Sequence, residues 1–172
     1  MKKVIVILSV LFLAWQSADA AEMFTLKAAG EKTIVATEMP NGMRFKGFEG
    51  KPVLLNFFGK ECRYCKMEIP HLVELKKRYG DKIGIIAVHV QQRMTPQERA
   101  AMQKQFGFNY PIFEYDDNMA IVRHIGSRAR YNGSIPFNVV FNGKGEVVEI
   151  IPGYLSGKDM EMIFSELLQK HH

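Results

Sequence analysis

Cys62 and Cys65 are the only cysteines of this 172-residue chain, and Arg63 and Tyr64 separate them. An apolar run, Val53 to Phe58, precedes the pair, and a segment with helical spacing follows it. Two thiols so placed at a helix start can close a small reversible disulfide, with the first sulfur at the positive end of the helix dipole, where a thiolate is favoured. The chemistry this points to is thiol–disulfide exchange. Two other readings compete with it: an inert structural disulfide, and a soft-metal clip carrying Cu(I) on both thiolates. The 10 methionines are scattered and make no cluster beside the pair. A four-ligand zinc site would lack partners, because no neighbouring His or Cys spacing supplies them. The expectation is therefore no metal and no cofactor beyond the redox-active Cys62–Cys65 couple.

The elements that must hold this pair are partly legible. Val53 to Phe58 reads as a strand covered on both faces, and the following helix is expected to bury Ile69, Leu72 and Val73 and to stop at Gly80, with Lys76, Lys77 and Arg78 as solvated cations at its negative end. Ile83 to Val90 reads as a second buried strand. Thr95-Pro96-Gln97-Glu98 combines an N-cap, a proline at the first helical position and a glutamate at the third, which predicts a helix to about Phe106. Tyr110 to Phe113 predicts a short strand, and Met119 to Ile125 a short helix begun by Asp117 or Asn118. Phe137 to Phe141 and Val147 to Ile151 flank Asn142-Gly143, a hairpin-turn dipeptide, and Ser156 caps a last helix through Lys170. Upstream, Phe24 to Leu26 and Thr33 to Val35, with turn signals at Pro40-Asn41-Gly42, predict an N-terminal hairpin added to the sheet.

The chain opens with Lys2 and Lys3, an apolar stretch from Val4 to Trp15, and Ala18-Asp19-Ala20. This predicts an export leader over 1–20 and a mature domain over 21–172; an uncleaved anchor would need about 20 apolar residues. Export places the pair in an oxidising compartment, read here as the periplasm. The formal charge of +5 is modest and much of it falls where a helix end favours it, as at Lys76-Lys77-Arg78, which reads as solvated surface and argues against a nucleic-acid partner. No repeat or composition break divides the mature chain.

With these residues in view, Lys51 to Phe58 followed by Cys62-Arg63-Tyr64-Cys65-Lys66-Met67-Glu68-Ile69-Pro70 resembles the thioredoxin superfamily, and within it the exported thiol-disulfide oxidoreductases of the TlpA, ResA and CcmG type. Pro70, five residues after Cys65, and Ser134-Ile135-Pro136 ahead of the hairpin match the family's prolines, and the 71 positions from Cys65 to Pro136 leave room for one extra helix–strand pair. The resemblance implies an α/β thioredoxin fold: a central mixed sheet flanked by helices, with an N-terminal β-hairpin and a central helix–strand insertion. It also implies that Cys62 is the nucleophile and Cys65 the resolving thiol, that Ile135–Pro136 is cis and presents its backbone to substrate, and that Glu68 moves protons.

Asn56 stands where cytoplasmic relatives carry a buried, proton-handling aspartate. An amide cannot do that work, which shifts the task to Glu68 or to water. Glu61 stands where the family usually has tryptophan. Arg63 favours a thiolate and Glu61 opposes it, so these two and Asn56 are the expected tuners of potential. Tyr64 is either a flat substrate contact or an exposed aromatic without a role; Glu68 is either a buried proton carrier or a surface carboxylate. His71, His89 and His124 read as structural. The function implied is a reductase of disulfides in exported proteins, including the haem-attachment cysteines of apocytochrome c, itself re-reduced by a membrane thiol donor. An oxidase or isomerase of the same fold and a Cu(I) chaperone are the alternatives.

Overall fold

The computed structural model describes residues 21–28 and 32–170. The expected leader over 1–20 and the terminal His171-His172 lie outside them. Five strands form a mixed sheet in the order β6-β5-β4-β7-β8: β4 (Val53–Phe58), β5 (Gly84–His89), β6 (Ile112–Glu114), β7 (Phe137–Phe141) and β8 (Val147–Pro152). β4 pairs in parallel with β5 and antiparallel with β7. All six residues of β4 and of β5 are buried, as the apolar runs require of strands covered on both faces.

Side-chain alternation sorts the core into two layers. Leu54, Phe58, Ile85, Ala87 and Val140 face α1 (Arg63–Tyr79), α2 (Pro96–Phe106) and α4 (Gly157–Gln169). Val53, Leu55, Phe57, Val88 and Val139 face the other way, against α3 (Tyr115–Arg128) and the N-terminal strands. α1 buries Cys65, Glu68, Ile69, Leu72 and Leu75, and continues through Pro70. Val73 is only partly buried; Leu75 takes the place expected of it. Lys76 is no free surface cation either: its Nζ donates to Gly80 O (2.6 Å) and Ile83 O (3.1 Å), tying the end of α1 to the segment that enters β5.

The N-terminal segment is larger than a hairpin. β1 (Met23–Lys27), β2 (Thr33–Met39) and β3 (Gly42–Phe45) form a separate antiparallel sheet, with single bridges from Ala28 to Phe113 and from Gly42 to Glu146. β3 is too short to stand out from the turn before it. α3 begins earlier than Asp117, follows Glu114 at the N-cap position without a side-chain cap bond, and breaks its helical angles at Asn118. That buried side chain accepts from Lys27 N and donates to Lys27 O and Glu114 O, so it splices β1 to the helix. The β7–β8 turn is also longer than Asn142-Gly143. Asn142 Oδ1 accepts from Lys144 N and Glu146 N, and Gly145 takes the positive φ (85°). The expected boundaries of α2 and α4 hold, including the reciprocal Thr95–Glu98 capping box and the Ser156 cap.

Candidate active site

The chain leaves β4 at Phe58 and enters α1 at Arg63, and Gly59 to Cys62 turn between them. Cys62 is the N-cap: its backbone is extended (φ −85°, ψ 113°) and its sulfur accepts the Cys65 amide at 3.1 Å, one of the donors a helix start leaves unpaired. Cys62 and Cys65 are joined in a disulfide. Cys65 is buried and Cys62 half-buried, so a partner can reach only the first sulfur. The Ile135–Pro136 bond is cis, and Ile135 O lies 3.6 Å from Cys62 Sγ. Sequence positions 73 residues apart thus meet at one sulfur.

Glu68 follows Cys65 by three residues on the same helix face, and it is 1% exposed. The surface-carboxylate reading is excluded. Period-two alternation turns Asn56 of β4 to the side of Leu54 and Phe58, toward α1, and the β4–β7 register sets Asn138 directly opposite it. Asn56 Nδ2 donates to Glu68 Oε1 (2.8 Å) and to Asn138 Oδ1 (2.9 Å), and Asn138 Nδ2 donates to the same Glu68 oxygen (3.1 Å). Leu155 N donates to Glu68 Oε2 at 2.7 Å. Burial lifts the Glu68 pKa from 4.5 to about 7 against these three donors: neutral amides stabilise a carboxylate less than water does. The hydroxyl of buried Tyr110 has no hydrogen-bond partner among the described residues; burial first, then the Glu68 charge, raises its pKa.

The remaining expected residues lie at the surface. Tyr64 is 57% exposed, and Glu61 and Arg63 are exposed as well. Glu61 meets the fold through its backbone, whose N–H donates to Gln91 Oε1 at 3.0 Å. Asn138, Leu155 and Gln91 were not singled out from the sequence. A signal existed for Asn138: it and Asn56 are lone amides in two otherwise apolar strands, a pairing that marks a buried polar site. Leu155 and Gln91 act through a backbone amide and a loop contact that carry no pattern.

The histidines take structural places. His71 Nε2 lies 3.0 Å from Tyr154 OH, and His89, fully buried, has Nδ1 3.0 Å from Glu114 Oε2. His124 sits between Glu22 (3.3 Å) and Glu38 (3.4 Å), with Arg128 also on Glu38. Glu22, Glu38 and His124 are the one group among the described residues that could gather round a cation, and they lie where α3 meets the N-terminal strands, away from α1.

The comparisons agree with this geometry. A family model described as AhpC/TSA matches residues 18–150. The thiol-disulfide oxidoreductase ResA of Geobacillus kaustophilus is 32% identical over 120 residues, which is 69% of this chain and 64% of that protein. The thioredoxin-like protein YneN of Bacillus subtilis is 28% identical over 149 residues, 85% of this chain and 77% of that one. A thiol:disulfide interchange protein of the thioredoxin family from Chlorobium tepidum superposes with a TM-score of 0.69 at 22% identity, covering 87% of this chain and 95% of its own, a likeness of fold. With an N-capping cysteine, a buried partner thiol and a proline loop at the first sulfur, the chain belongs to the AhpC/TSA family and is a thiol-disulfide oxidoreductase of thioredoxin fold.

Proposed function

We propose that the protein is a periplasmic reductase of disulfides in exported proteins, and that the haem-attachment cysteines of apocytochrome c are among its substrates. The observation that carries this reading is the Glu68 carboxyl, buried one turn beyond Cys65 with a pKa near 7. In the reduced protein the Cys62 thiolate attacks a substrate disulfide. A Cys62–substrate S–S bond forms, the substrate's own bond breaks, and one substrate sulfur leaves as thiolate. The Cys65 thiol then passes its proton to the Glu68 carboxylate and attacks Cys62 Sγ, which expels the second substrate sulfur. Two electrons have moved to the substrate, and the protein is left as the Cys62–Cys65 disulfide. A membrane thiol donor returns them. The Ile135 backbone beside Cys62 holds the substrate strand by main-chain pairing, with Tyr64 as a flat contact on the rim.

Direction follows from which charges the sulfurs feel. A stabilised thiolate makes a couple oxidising. Arg63 stabilises it, but from the exposed surface, where water and salt screen it; Glu61, equally exposed, opposes it. Glu68 is buried, so its ionised form disfavours a neighbouring thiolate much more strongly per charge and shifts the couple toward reductant. Titration against glutathione tests this: a potential near the thioredoxin value of about −270 mV is expected, and one near about −120 mV would make the protein an oxidase. Export is supported by the basic and apolar start of the chain and its Ala18-Asp19-Ala20 site. Cys65→Ser expressed in the native host is expected to accumulate mixed disulfides on Cys62, an apocytochrome c among them. Their absence from a stably expressed variant would remove the reading.

A further inference from the structure

The two residues before Cys62, Lys60 and Glu61, are tied to parts of the fold that the exchange steps do not use. Glu61 N–H donates to Gln91 Oε1 at 3.0 Å, from just beyond the end of β5. Lys60 Nζ donates to Glu98 Oε1 at 2.6 Å, and that lysine side chain is only 13% exposed. Glu98 is the third residue of α2 and its other oxygen accepts from Thr95 N at 2.8 Å, so one carboxylate closes both the capping box and the tie to the redox loop. Lys60 first, then the Thr95 amide, holds the Glu98 pKa at about 2.

Gly59 completes the arrangement. A Cβ there would stand 2.3 Å from Gln91 Cδ and 2.7 Å from Ile135 Cδ1. The missing side chain is what lets the Gln91 amide and the Ile135 side chain close on the loop together, and Ile135 is the residue whose carbonyl faces Cys62 Sγ. Glu61 also brings no tryptophan ring to pack this turn, so polar ties do the holding.

We infer that Gln91 and the Lys60–Glu98 pair are positioning residues that dock the Gly59–Glu61 loop on β5 and α2, and thereby set Cys62 against the Ile135 carbonyl where the substrate strand lies. The ties touch neither sulfur of the couple, so their loss slows exchange in both directions, and loss of the neutral Gln91 tie leaves the reduction potential in place. The inference therefore rests on disulfide exchange alone and is independent of the direction proposed above.

The test uses the full chain and a disulfide-bonded synthetic peptide, with kcat/KM measured in both directions, the potential measured against glutathione, and melting followed by circular dichroism. Gln91→Ala is expected to lower kcat/KM about 3- to 10-fold both ways, the rate equivalent of one hydrogen bond, at unchanged potential. Gly59→Ala pushes Gln91 off the Glu61 amide without deleting it, so Gly59→Ala with Gln91→Ala should be no slower than the slower single variant. Glu98→Gln keeps the capping box, because glutamine also serves at that position; it and Lys60→Met should slow exchange, and Lys60→Arg should stay within about twofold of the parent. The inference is overturned if Gln91→Ala exchanges at the parental rate, if the Gly59 and Gln91 effects multiply, or if Lys60→Arg is as slow as Lys60→Met. A variant that loses rate only in step with its melting temperature also counts against it.

Discussion

Two buried carboxyls, Glu68 against one face of the sheet and Glu114 at the end of one of its strands, are each 1% exposed and are shifted in opposite directions. Glu68 on α1 is met by three neutral donors, the amides of Asn56, Asn138 and Leu155, and its pKa rises to about 7. Glu114 at the end of β6 is met by His89 Nδ1 and by the Arg99 guanidinium from α2; burial pushes its pKa up, and these two partners outweigh it and leave the pKa below 4.5. Both carboxyls are shut off from solvent, but Glu114 lies less deep and faces a guanidinium, and together the shallower burial and the charged partner make it a fixed anion where Glu68 is a proton carrier. The same contrast separates the helices. α1 is seated by Ile69, Leu72 and Leu75, whereas α2 buries only Met102 and is held by Glu98 and Arg99.

The largest effect expected from this contrast is in the pH dependence of stability. A carboxyl whose folded pKa is raised binds its proton more tightly in the native state. Its contribution is therefore full below the unfolded value near 4.5 and is lost as pH rises through about 7. The loss amounts to about 3 kcal/mol across that window. Glu68→Gln should flatten this fall, as urea titrations at pH 4.5 and 8 would read, and should slow release of the mixed disulfide by removing the proton acceptor. An unchanged slope would mean that the native carboxyl titrates like an exposed one.

Glu114 has the opposite sign. Its depressed pKa contributes stability that is full above about pH 4.5 and is lost as pH falls through the lower folded value. Arg99→Met should cost about 2 kcal/mol at pH 7, less than the removal of a fully buried partner because Arg99 is 27% exposed. The penalty should shrink in acid, where Glu114 is protonated. A penalty independent of pH would assign Arg99 a packing role only.

How much of this was legible in the sequence depends on the range of the interaction. Cys62 and Cys65, the Thr95–Glu98 box, the Ser156 cap and the β4 run are set by neighbours within one turn or one strand, and each appears where its residues predict. Glu68 stands out by its spacing to Cys65, but its bond to Asn138, 70 residues away, depends on a strand register that no local pattern encodes. Asn142-Gly143 misled because a dipeptide specifies a turn only when the flanking strands meet at it. Here the Asn142 side chain gathers a longer loop and hands the left-handed position to Gly145. Lys76 looks solvated because cations usually are; the carbonyls of Gly80 at the helix end and of Ile83 ahead of β5 are the missing information.

The smallest effect separates the groups that hold Glu68 from one that only feels it. Tyr110 is buried, its hydroxyl lacks a hydrogen-bond partner among the described residues, and the Glu68 charge raises its pKa further. A buried hydroxyl without a partner forfeits its hydration and gains nothing in return. Tyr110→Phe keeps the ring against Phe108, whose centroid is 5.6 Å away, and removes only the oxygen. Stability should therefore rise by about 1 kcal/mol, while the midpoint near pH 7 assigned to Glu68 stays in place, because a neutral phenol adds no charge to the field that sets it. A loss of stability instead would show that the hydroxyl has a bonded partner. A shifted midpoint would add Tyr110 to the Asn56, Asn138 and Leu155 shell that holds the proton of Glu68.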